Sequence, residues 1–99
     1  MLITISGSIG RAPQSLSQTT DGLPVLEAAL AVPTVEGKDW FALQFADAAL
    51  IRSVQQVRKG DALAVTGELW FEPIASEPDR FKPVVCVSDL QLCELPVAY

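Results

Sequence analysis

Five segments in which apolar and polar residues alternate, with one stretch of helical periodicity between the third and fourth, predict an all-β barrel carrying a single helix. Glycines inside the first and fourth segments support it, because strands of a small closed barrel must bend.

The first segment, Leu2 to Gly10, sets Ile3, Ile5 and Ile9 on one face and Thr4, Ser6 and Ser8 on the other, with Gly7 and Gly10 as sites for a bend or bulge. Ala12-Pro13, a polar stretch from Gln14 to Thr20, and the turn pair Asp21-Gly22 separate it from the second. That segment, Val25 to Val32, turns Leu26, Ala28, Leu30 and Val32 one way and Glu27 the other, and Pro33 is expected to end it. After a turn at Glu36-Gly37, the third segment, Asp39 to Phe45, directs Phe41, Leu43 and Phe45 inward and Trp40, Ala42 and Gln44 outward. The period then changes. Leu50, Ile51, Val54 and Val57 recur at helical spacing between Asp47 and Lys59, with Asp47 as N-cap and Arg58, Lys59 and Gly60 as a favourable carboxyl end. The fourth segment, Ala62 to Glu72, places Leu63, Val65, Leu69 and Phe71 against Thr66, Glu68, Trp70 and Glu72. Pro73 to Pro83 reads as a loop, and Val84 to Leu95 as the fifth strand.

Strand-strand-strand-helix-strand-strand is the order of the five-stranded Greek-key barrel known as the OB-fold. A β-sandwich wants about seven strands and no central helix. A swapped-hairpin or SH3-like barrel has no place for a long helix between its third and fourth strands.

The 99 residues suit one domain, residues 1–99, and 49% of them are hydrophobic, enough for a packed core. No apolar run approaches the roughly 20 residues of a membrane helix, and no basic, apolar and cleavage-site series opens the chain. A cytoplasmic location without membrane contact is the expectation. Cys86 and Cys93 fall in one strand, seven residues apart. At about 3.3 Å per residue that is roughly 23 Å, beyond any disulfide. With no histidine in the chain, a zinc site lacks ligands, so no metal or cofactor is expected. Nor is there a nucleophile-base set or a phosphate-cradling glycine loop, so no catalytic residue is assigned. The formal charge of −5 runs against the basic footprint of nucleic-acid binders, so such binding would rest on a local basic cluster, on stacking or on a partner.

Several motifs, in order, carry a family resemblance. Ser6-Gly7-Ser8-Ile9-Gly10-Arg11-Ala12-Pro13 resembles the opening strand of the bacterial single-stranded-DNA-binding proteins, and Asp21-Gly22, Val25 and Leu30-Ala31 resemble their second strand. Asp39-Trp40 is similar to their third strand, and Arg58-Lys59-Gly60 with Val65-x-Gly67 to their helix end and fourth strand. Arg11-Ala12-Pro13 followed by Asp21-Gly22-Leu23-Pro24 also resembles the primosomal replication protein N branch, which a stop at Tyr99, without a disordered acidic-tipped tail, would suit. The chain departs from the family at Ala46, where a stacking phenylalanine is usual, and at Glu68-Leu69-Trp70-Phe71-Glu72, where basic residues are usual. The resemblance implies an OB-fold that binds single-stranded DNA with little sequence preference, in replication, repair or primosome assembly.

Such proteins hold bases on aromatic side chains and the backbone in a basic groove. The candidates are therefore Trp40 and Trp70, both on outward faces and open to stacking on a base or to burial at a subunit interface, with Lys38, Arg11 and the cluster Arg80-Phe81-Lys82 in the loop between strands four and five. The helix dipole accounts for Arg58 and Lys59, and Arg52 belongs to the solvated helix face. A homodimer or homotetramer is expected, since a small core coexists with apolar outer positions Leu2, Ala29, Ala31, Ala42, Ala62 and Ala64. The alternative is a protein-docking OB-fold whose acidic faces meet a helicase or another replication protein and bind DNA poorly.

Overall fold

The alternating segments form one sheet closed on itself in the computed structural model, which describes residues 1–15 and 25–93. The elements are β1 (Leu2–Ser15), β2 (Leu26–Thr34), β3 (Gly37–Phe45), α1 (Ala48–Val54), β4 (Ala62–Ile74) and β5 (Glu77–Cys93). Around the barrel they run β1-β2-β3-β5-β4, and β4 returns to pair with β1. The element order and the closed barrel are those the sequence predicts.

β1 serves two sides of the barrel: residues 2–8 pair with β4 and residues 8–15 with β2. Closing a barrel this tightly brings backbones together at its corners. A Cβ on Gly67 would stand 2.1 Å from the Cys86 carbonyl oxygen, and one on Gly7 the same distance from that of Ala31. Only a residue without a Cβ allows these approaches. The inward faces are those the alternation assigns: Ile9, Leu30, Leu43, Phe45, Leu63 and Val65 are buried, while Ile3, Ile5, Val32, Phe41 and Leu69 pack at the margins. Burying a side chain of this kind contributes about 1.5–3 kcal/mol, which makes the barrel interior the main source of stability.

Asp47 is the N-cap of α1, its Oδ1 accepting from the amides of Ala49 (2.9 Å) and Leu50 (3.1 Å). The helix is half as long as expected, ending at Val54 rather than Lys59. Competing hydrogen bonds to β1 end it: the Gly60 amide donates to the Ile9 carbonyl at 2.7 Å, and the Ile9 amide to the Asp61 carbonyl at 2.8 Å. Gly60 reaches them at a φ of 95°, and the Asp61 carboxylate accepts from the Arg58 amide at 2.9 Å. Arg58 and Lys59 therefore do not sit at the helix end, and Arg52 is the basic residue of the last turn. Val57 is buried in the core even so, which is why its spacing reads as helical.

The expected loop from Pro73 to Pro83 is instead a ribbon of paired strands. β4 continues to Ile74 and β5 begins at Glu77, with Phe71 opposite Pro83 and Pro73 opposite Phe81. Proline is tolerated because β3 pairs only with Val84 to Cys86, leaving each ribbon strand an outer edge that needs no donor. β2 likewise runs past Pro33 to Thr34, and β1 past Pro13 to Ser15. Phe71, expected inside, is 60% exposed, because it lies beyond the rim where no opposing sheet covers it. The turn pair Asp21-Gly22 and the end of the fifth segment at Leu95 lie outside the described residues.

Candidate nucleic-acid interface

The outer face of β1, β2, β3 and β5 gathers most of the predicted basic and aromatic groups. Trp40 is half exposed on β3, opposite Ala31 of β2. Its indole lies against β1 at Gly10, where a Cβ would stand 2.1 Å from Cζ3 and 2.3 Å from Cη2. Gly10 sits at an irregularity in the β1–β2 register, between Ile9 and Arg11, as a glycine in a strand suggests. The missing side chain makes a seat for the ring. Lys38, two residues away on the same face, holds its ammonium 5.7 Å from the ring centroid, within cation–π range. Ala31, expected to be exposed, is only 6% accessible, its neighbour across the strands being this indole.

Beside Trp40 runs a groove of about 310 Å³, lined by Arg11, Glu27, Ala29, Ala42, Lys82 and Pro83 among others. Arg11 donates from Nη2 to Glu27 Oε1 at 3.0 Å, and Lys82 Nζ lies 4.0 Å from the same oxygen. The two cations are about half exposed, whereas the carboxylate is buried. The groove floor thus carries two positive charges and one negative. The alternation of β2 puts Glu27 on the outward face, but no sequence motif marks it. Its signal is its isolation, the one charge in an apolar strand between Leu26 and Ala28.

Three candidates stand apart from this groove. Trp70 is on the same face, in one row with Val84 and Ala42, but two strands from Ala42 or about 10 Å. It is partly buried rather than exposed, and its Nε1 donates to Glu72 Oε1 at 3.1 Å. The Arg80-Phe81-Lys82 cluster splits. Phe81 and Lys82 alternate to opposite faces of the ribbon, and Phe81 is 58% exposed on the side away from Trp40. Arg80 belongs to a bulge with Pro78 and Asp79 that has no partner on β4, and it bonds Glu77 at 3.1 Å. The structure therefore brings Arg11, Lys38, Trp40 and Lys82 together, and not Trp70, Arg80 and Phe81.

Among the described residues no cluster of histidine, cysteine and carboxylate side chains could hold a metal ion. No helix of the described residues is long and apolar enough to cross a membrane.

No protein-family model matches the sequence, and no curated relative does. Solved structures match it closely in shape. A mitochondrial single-stranded DNA binding protein from S. cerevisiae superposes with a TM-score of 0.75 at 16% identity, over 93% of this chain and 94% of that one. A small single-stranded DNA-binding protein from Streptomyces coelicolor gives 0.75 at 16% identity, over 94% and 92%. The single-stranded DNA binding protein from Thermus aquaticus gives 0.74 at 24% identity, over 99% of this chain but 42% of that longer one. The chain accordingly has the OB-fold. Within that class its shape is the one these three proteins share.

Proposed function

We propose that this chain binds single-stranded DNA, with little sequence preference, across the outer face of β1, β2, β3 and β5. One observation carries the proposal: a half-exposed tryptophan seated on a glycine, beside a groove that holds Arg11 and Lys82. An exposed indole on a rigid strand offers a stacking surface to any base, at roughly 1–3 kcal/mol per base. Arg11, Lys38 and Lys82 supply positive charge beside it, and sequence preference is not expected where the contacts are π-faces and phosphates. The likeness to three single-stranded-DNA-binding proteins supports the same reading. The role is non-enzymatic, in replication, repair or primosome assembly, as one domain in the cytoplasm. Anisotropy of a labelled oligo-dT at low salt tests it. Binding is expected, and Trp40→Ala should weaken it about tenfold and Trp70→Ala far less, given the value of one stacked base. If no binding is measured, the proposal fails and the protein-docking alternative takes its place.

Self-association belongs to the same proposal. The Met1 carbonyl, just before β1, accepts from the Leu69 amide of β4, and the Ile9 amide donates to the Asp61 carbonyl at the approach to β4, so the odd residues between them bond toward that strand. The N–H and C=O groups of Leu2, Thr4 and Ser6 then point to the other side, where β2 has departed. Among the described residues no strand pairs with this edge, and its small outer side chains suit pairing with a second copy.

A further inference from the structure

A buried carboxylate under a DNA groove is at odds with the groove's task. Glu27 is 7% exposed, on the outer face of β2, and both basic side chains of the groove converge on its Oε1. Its charge could have been spared: an apolar residue suits a buried strand position, and every other residue of β2 from Leu26 to Val32 is apolar. A phosphate presents to Arg11 what Glu27 presents now, an anionic oxygen at hydrogen-bond distance.

We infer that Glu27 is a built-in competitor for the phosphate backbone, occupying Arg11 and Lys82 in the free protein and lowering the affinity and salt dependence of strand binding. This rests on the groove being the binding site. A strand entering the groove must share or displace these ion pairs, so of two cations only one net charge is available to release counterions. The device keeps binding weak enough to reverse while holding both cations in register with Trp40.

The substitution Glu27→Gln keeps an oxygen that accepts from Arg11 and removes the charge. Labelled oligo-dT is titrated over a range of salt with the wild type, Glu27→Gln, Trp40→Ala and Asp89→Asn, the last an exposed carboxylate on the far stretch of β5. Glu27→Gln should bind about fivefold tighter at low salt, the worth of an ion pair with an exposed partner. Its plot of log affinity against log salt should steepen by about 0.7, one further phosphate contact. Asp89→Asn should change the slope by less than half of that if the effect is local to the groove. The double variant Arg11→Gln with Glu27→Gln restores the net groove charge and should recover the wild-type slope. It also keeps the test open if the single variant unfolds in a melting curve. An unchanged or weakened affinity in a folded Glu27→Gln overturns the inference, and so does a double variant whose slope is flatter by about 0.7. Those results leave wild-type binding and its loss in Trp40→Ala intact. Absence of wild-type binding would instead overturn the proposed function itself.

Discussion

Three glycines approach their neighbours too closely for a Cβ, but they differ in what the Cβ would strike. At Gly67 and Gly7 the obstacle is a backbone carbonyl of the neighbouring paired strand, which cannot give without disturbing that pairing. At Gly10 it is the outer edge of the Trp40 ring, which is half exposed and free to swing away. Neither Gly10 nor Gly67 has a positive φ, so alanine is conformationally acceptable at both and sterics alone decide. Gly67→Ala should therefore destabilise by about 1–3 kcal/mol, as overpacking does, or roughly 4–8 °C of Tm per kcal/mol in a domain of this size. Gly10→Ala should leave Tm nearly unchanged, yet shift Trp40 emission and weaken oligonucleotide binding. Thermal melts and fluorescence of the two variants make the comparison. A large stability loss in Gly10→Ala would mean that Trp40 is part of the packing rather than a displaceable stacking surface.

Among the elements, the β4–β5 ribbon departs furthest from the sequence expectation and most affects the site. It carries Lys82 back over the barrel to Glu27, whereas its tip holds Arg80 against Glu77 in a bulge. The two basic residues should then behave differently, although they are two residues apart. Each phosphate contact on a single strand contributes a slope of about −0.7 to log affinity against log salt. Lys82→Ala is expected to flatten that slope by about 0.7, and Arg80→Ala by less than half as much. Equal effects would show that the ribbon tip also lies along the strand. α1 illustrates the opposite case, an element shortened by its surroundings. The spacing of Val54 and Val57 is that of a helix, and both are buried, but the bond from the Gly60 amide to the Ile9 carbonyl and that from the Ile9 amide to the Asp61 carbonyl end it first.

For the molecule as a whole, the edge at Leu2, Thr4 and Ser6, unpaired among the described residues, and the exposure of Leu2, at 62%, argue for association of copies. Sedimentation equilibrium at micromolar concentration should return a mass above the 10.6 kDa of one chain, and a single-chain mass throughout would rule association out. The barrel was legible in the sequence because alternation is a property of single strands: Ile9, Leu30, Leu43 and Leu63 declare the inner face each on its own. The ribbon was not, since Pro73, Pro78 and Pro83 look like loop residues until β3 is known to end its pairing at Val84. Within the site, Trp40 and Lys38 could be placed on one face by parity alone. The meeting of Arg11, Glu27 and Lys82 could not, because it joins β1, β2 and β5 through a strand order that no local pattern encodes.

Whether Trp40 is a stacking surface for single-stranded DNA is tested most directly by its own fluorescence. The chain has two tryptophans, so Trp70→Phe leaves Trp40 as the only indole reporter. Titrating this variant with oligo-dT at low salt should quench the emission in a saturable manner, because an indole stacked on a base loses fluorescence. Raising the salt should reverse the quenching as phosphate contacts weaken. Emission that stays unchanged while a labelled oligonucleotide is seen to bind would move the strand off Trp40 and contradict the account.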